Sequence, residues 1–276
     1  MRRKIGGWGY ELVGLFPPRG VILSLIATLL SAAAAAKPLF DPFLSGVEVE
    51  VTSENLYTLG NAFSYAFGGL LREQSATLWV FVYLLMIFPI HILIGAYLSR
   101  DGWRWQWWLA QRSGGIWSWW SRKVGAVLTG ALLYRSLQMA LCLLIGACVL
   151  PVDFAPHGLR VYGQIVLVNL LSTILFAMLQ LSLQTLMADL RWPLVILLGC
   201  WLGGFALEQY RLFPISAQWL PGLWGHFRQS LEGGDSLGFS IGGTGLIELA
   251  SVALLYIASG ARIRRVGIAQ MQGRTH

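Results

Sequence analysis

Residues 98–124 read LSRDGWRWQWWLAQRSGGIWSWWSRKV, and how this stretch is placed decides the fold. Seven tryptophans (Trp103, Trp105, Trp107, Trp108, Trp117, Trp119, Trp120) are interleaved with five cations (Arg100, Arg104, Arg112, Arg122, Lys123). Indole rings and basic side chains gather where lipid headgroups meet water, and basic loops stay on the cytoplasmic side. Apolar runs of membrane-spanning length flank the stretch on both sides. It therefore reads as a cytoplasmic loop between two spans.

Composition agrees. The chain has 276 residues, is 56% hydrophobic and only 12% charged, and has a mean hydropathy of +0.62, well outside the range of soluble domains. The net charge of +7 lies beside apolar spans rather than along one polar face, so it speaks for orientation in a bilayer and against nucleic-acid binding. Cys142, Cys148 and Cys200 all fall inside apolar runs and read as small polarisable packing residues, with no disulfide framework or metal cluster.

Working outward, the expected fold is an all-α integral membrane protein of one domain, residues 1–276, with six transmembrane helices and both termini cytoplasmic. An amphipathic helix over 1–19, carrying Arg2, Arg3 and Lys4 and then Trp8, Leu12, Leu15 and Phe16, is expected to lie on the inner leaflet. The spans are expected at about 20–40, 78–98, 124–150, 161–187, 193–212 and 245–261. The outer loop 38–77 is acidic, and the segment 213–244 is expected to hold a short outer helix at about 215–230. Four inner segments hold fourteen Lys/Arg against three Asp/Glu, and three outer segments, with Lys37 and Arg211 at the adjoining span ends, hold five against eight. Inverting the chain would break the positive-inside rule at nearly every loop.

Chemistry is scarce. An ATPase would need a Gly-x-x-x-x-Gly-Lys-Ser/Thr loop, and the chain contains no Gly-Lys pair. Of the four histidines only His91 falls in a span, so neither a zinc His-Glu-x-x-His nor a serine–histidine arrangement is supplied. Glu48, Glu50 and Glu54 alternate along the outer loop and read as a solvated acidic surface. No catalytic, cofactor-binding or metal-binding residue is expected.

Two features inside the spans stand out. Gly199 and Gly203 form a Gly-x-x-x-Gly that lets backbones approach closely, either within one subunit or between two. Arg135 lies twelve residues beyond Lys123, about 18 Å along a helix, too deep to reach the interface. A lone charge there costs on the order of 2.5 to 3.5 kcal/mol, so Arg135 needs partners. Gln138 is one turn away, and His91 and Gln180 reach comparable depth. The four form either an interhelical clamp or a cation on a substrate path.

The order of parts resembles the membrane subunits of type-2 ATP-binding-cassette exporters. The closest residues are Arg112, Ser113, Gly114 and Gly115 followed by Trp117, Trp119, Trp120, Ser121, Arg122 and Lys123, similar to the segment before the third span in small permeases of bacterial peptide and bacteriocin systems. The resemblance covers the whole chain in topology and this segment in sequence. Asp101 stands alone where many relatives carry several acids.

The resemblance implies a permease for an amphipathic, lipid-like or other hydrophobic substrate in the bacterial cytoplasmic membrane. It implies a second permease subunit, identical or not, with contact through Gly199 and Gly203, and a separate P-loop ATPase holding ATP and Mg. The ATPase would meet Arg100, Asp101, Arg104, Trp107, Trp108, Arg112, Trp117, Trp119, Trp120, Arg122 and Lys123. A non-transporting assembly, sensor or immunity factor is the alternative. An enzyme of lipid headgroups lacks clustered acid and base residues, and a secondary transporter lacks visible inverted repeats.

Overall fold

The computed structural model describes residues 11–12, 14–30, 77–100, 115–149, 156–187, 191–209 and 240–272. They form six helices, with no strand among the described residues: α1 (Pro18–Leu30), α2 (Thr77–Arg100), α3 (Ile116–Val149), α4 (Pro156–Leu186), α5 (Arg191–Gln209) and α6 (Ile241–Gln272). A single turn at 11–15 precedes α1. Three helices are long and apolar enough to cross a membrane, over Ile116–Leu141, Leu159–Leu186 and Ile241–Arg265. The other three carry shorter apolar stretches, Pro18–Leu30, Met86–Leu98 and Arg191–Gly204.

Residue pairings fix the helix directions. On α2 and α3, Tyr97 meets Lys123 while Met86 meets Arg135, so the two run antiparallel. Arg135 reaches Asn169 of α4, Trp120 reaches Tyr256 of α6, and Phe176 of α4 stacks on Trp201 of α5. Leu15 and Thr28, at the two ends of the first segment, meet Gly130 and Tyr134 in that order along α3. Direction thus alternates from each helix to the next. Helix α4 is central, packing against α2, α3, α5 and α6.

One core runs through Leu15, Ile94, Trp120, Val127, Met178 and Leu181 at the end where α2 finishes and α3 begins. A second, around Met86, Met139, Ile165, Val168 and Ile241, fills the opposite half. Side chains that point away from the bundle are also apolar, including Leu133, Leu246 and Leu254, as expected where the surrounding solvent is hydrocarbon.

Several expected boundaries move. Helix α3 begins at Ile116 rather than 124, and Gly115, at φ 104°, makes the turn into it. That backbone conformation suits a residue without Cβ, and the Gly115 carbonyl accepts from Trp119 N at 3.1 Å. The tryptophan–serine segment is therefore continuous with α3, and one side of it is core: Trp119 and Trp120 are buried, Trp120 fully, while Trp117 and Ser118 stay exposed. Helix α6 continues past 261 to Gln272 and carries Arg262, Arg264 and Arg265 within that extension. Pro193 lies within the first turn of α5, which starts at Arg191, a position where a missing N–H costs little.

The segment before α1 does more than coat a leaflet. Leu15 is fully buried and docks where Gly130 leaves room, and Glu11 joins α2 and α3 through side-chain bonds. Expectations for residues 1–10, 31–76 and 210–239 lie outside the described residues, including the acidic outer loop and the helix at 215–230. So do Asp101, Arg104, Trp107, Trp108 and Arg112.

Candidate functional site

The polar side chains of the spans converge at two adjoining points midway along the bundle. At the first, Arg135 donates to Gln138 Oε1 and Asn169 Oδ1, each at 2.5 Å, and to the Met86 carbonyl at 3.4 Å. Gln138 Nε2 donates to that carbonyl at 2.9 Å. At the second, His91 Nδ1 lies 2.9 Å from Gln180 Oε1, and Gln180 Nε2 donates to the His91 carbonyl at 2.8 Å. All of these side chains are buried.

Local sequence explains one of the two carbonyls that α2 supplies. Pro89, inside the helix, brings no N–H to the ladder and opens the turn before it, the turn that contains Met86. The Met86 carbonyl takes side-chain donors from α3, and the His91 carbonyl, beyond the proline, takes one from Gln180. On α4 the matching signal is a polar stripe: Asn169, Thr173, Gln180 and Gln184 recur at helical spacing on one side of an otherwise apolar run. Asn169 completes the site and was not singled out from sequence, although this periodicity carries it.

A cavity of about 10 Å³ joins the two points, lined by residues of α2, α3, α4 and α5 that include His91, Arg135, Ser172 and Trp201. That is room for one water, and Ser172 Oγ is buried with no hydrogen-bond partner. The arrangement is a clamp across α2, α3 and α4 with a small polar void inside it. The acceptors named for Arg135 are two neutral side-chain amides and a backbone carbonyl.

A further polar group ties the bundle's end. Lys123 Nζ donates to Glu11 Oε2 at 2.6 Å and to Tyr97 Oη at 2.9 Å, and lies 4.8 Å from the Tyr97 ring centroid. Tyr97 in turn donates to Glu11. Lys123 is buried, which corrects its expected place on a docking surface: an ammonium at that depth needs this carboxylate. Trp119 and Trp120 are corrected in the same way. Trp120 Nε1 donates to the Tyr256 carbonyl at 3.1 Å, and its ring lies 6.5 Å from that of Tyr256, nearly parallel. Trp117 and Arg122 stay more open, with Arg122 Nε donating to the Ser118 carbonyl. Arg100 ends α2, and its side chain is outside the described residues.

Gly199 and Gly203 sit on α5 with open space around them: a Cβ on either would meet nothing within 4 Å. Among the described residues neither is used for close packing. Glu248 is buried on α6, and its Oε1 has no hydrogen-bond partner. Among the described residues no group of three His, Cys, Asp or Glu is placed to hold a metal, and Cys200 is a free, half-buried thiol. No family model, no curated protein and no solved structure matches this chain.

Proposed function

We propose that this chain is the permease subunit of an ATP-driven exporter, moving an amphipathic or lipid-like molecule together with a second permease copy and a separate P-loop ATPase. In this reading all six helices span the membrane, with both termini on the basic, cytoplasmic side. The observation that carries it is Arg135: a guanidinium held at mid-depth by neutral acceptors, beside a polar void, in helices that otherwise exclude charge. Ionisable groups at such depth usually mark a path or a relay. Alternating helix directions and an end rich in arginine support the orientation.

The stretch between α2 and α3, with Arg104 and Arg112, is the proposed ATPase contact, and the Gly199–Gly203 face of α5, open among the described residues, is the proposed contact with the second permease. The filled geometry of the clamp favours a second reading, a non-transporting assembly or immunity factor, because about 10 Å³ holds no substrate. The deciding experiment is affinity purification of the tagged chain from its native membrane. Copurification of a P-loop ATPase whose hydrolysis rises with the chain bound supports export. Purification without any ATPase sinks export and leaves the non-transporting reading.

A further inference from the structure

A wider opening than the void in the clamp lies between α1 and α3, on the other side of Gln138. It is an apolar groove of about 230 Å³, bordered by Phe16, Leu25 and Thr28 on one side and Leu133, Leu137 and Leu141 on the other. Its origin is in the sequence. The side of α1 that turns inward is Gly20, Ser24 and Thr28, spaced by four. Ser24 and Thr28 are buried, and each hydroxyl bonds back to the carbonyl four residues earlier, at 2.8 Å. Small self-satisfied side chains send no knobs toward α3, and its leucines stand half out of the groove: Leu133 and Leu137 are 53% and 52% exposed.

The charge around the groove defines an occupant. Arg122 lies eleven residues before Leu133 on nearly the same side of α3, about 16 Å away along the axis. Half the hydrocarbon thickness of a bilayer is about 15 Å. A lipid with its headgroup level with Arg122 thus brings the end of its chain to the groove. Exposed Arg19, in the first turn of α1, adds a second cation about one helical turn deeper, since the neighbouring Gly20 lies against Leu93, four residues from the Tyr97 that meets Lys123; its long side chain can reach the headgroup level. Around the groove itself the polar atoms are already engaged: Gln138 is bonded to Arg135, and the Tyr134 hydroxyl lies 3.4 Å from Thr28 Oγ1. An alkyl chain fits such a wall and a polar ligand does not.

We propose that the α1–α3 groove is a specific seat for the chain end of an anionic phospholipid whose headgroup rests at Arg19 and Arg122. The seat stands apart from the ATPase reading, since it needs only the placement of these helices in a membrane. It is tested with the full chain in phosphatidylcholine vesicles containing a trace of phosphatidylglycerol that carries a diazirine near the end of its acyl chain. After irradiation, labelled residues are mapped by mass spectrometry. The expected result is adducts concentrated at Leu25, Leu133, Leu137 and Leu141, displaced severalfold by unlabelled phosphatidylglycerol and little by added phosphatidylcholine.

Leu137→Trp and Leu133→Trp each fill the groove and should remove these adducts while the lipid-facing control Leu254 on α6 keeps its own. The double change Arg19→Gln, Arg122→Gln should abolish the preference for phosphatidylglycerol but leave chain labelling by phosphatidylcholine probes. Equal adduct density at Leu254 and in the groove, or labelling indifferent to unlabelled phosphatidylglycerol, would overturn the seat. Retention of the preference in the double variant would overturn the headgroup assignment.

Discussion

At the residue scale the central question is what Arg135 and its neighbours do for stability. Interhelical hydrogen bonds inside membranes average about 0.6 kcal/mol and reach about 1.7 kcal/mol. Gln180 makes two such bonds to His91, so Gln180→Leu should cost on the order of 1 to 3 kcal/mol, read as a lower melting temperature in detergent. Arg135→Gln removes the donor shared by Gln138 and Asn169 and should lower melting similarly. In the export reading it also abolishes transport while basal ATPase activity persists. A variant with unchanged melting and unchanged transport would exclude both roles. Glu248 has the opposite sign: with one carboxyl oxygen buried and unbonded, Glu248→Gln removes a group that is costly to bury. Its melting temperature should equal or exceed the parent's, and a large drop would reveal a partner that the free oxygen conceals.

At the element scale, the start of α3 and the C-terminal half of α6 decide how that end packs. Gly260 lies against the Trp117 ring so closely that any Cβ there overlaps it, and Trp117 and Trp120 both contact Tyr256 of α6. The tryptophan motif is legible as special, but burial of Trp119 and Trp120 beside an exposed Trp117 is not, because indole enrichment near a membrane surface looks the same for a headgroup anchor as for a buried helix seam. What the pattern lacked was a partner, and the partner, α6, is far away in sequence. The span cores were easier to read, since an apolar run of about twenty residues has few alternatives. The α4 polar stripe was legible in period but not in target. Gly115 offers a direct check: Gly115→Ala places a Cβ at φ 104°, which costs roughly 1 to 2 kcal/mol. Hydrogen exchange at the first turn of α3 should rise severalfold, and unchanged protection there would show that another residue sets the turn.

For the whole molecule, one organising fact is that each helix reverses the direction of the one before it, so the ends of the bundle divide into two sets. Glu11, Tyr97, Lys123, Tyr256 and Ile263 share one set, and they are joined by contacts rather than by proximity in sequence. Arg262, Arg264 and Arg265 extend α6 beyond that end, and Arg191 opens α5 there. Charge and packing therefore nominate the same face, although they are independent: the positive-inside bias acts during insertion, whereas the Lys123–Glu11 pair and the Trp120–Tyr256 stack act after it. If that face is cytoplasmic, a single cysteine at Ser113 or Arg264, in a background without Cys142, Cys148 and Cys200, should resist a membrane-impermeant maleimide in intact cells and react once the membrane is opened. A cysteine at Asp153 or Asp235 should react in both. Reaction at Arg264→Cys in intact cells would invert the orientation, and it would remove the proposed ATPase contact with it, because the stretch between α2 and α3 shares that end.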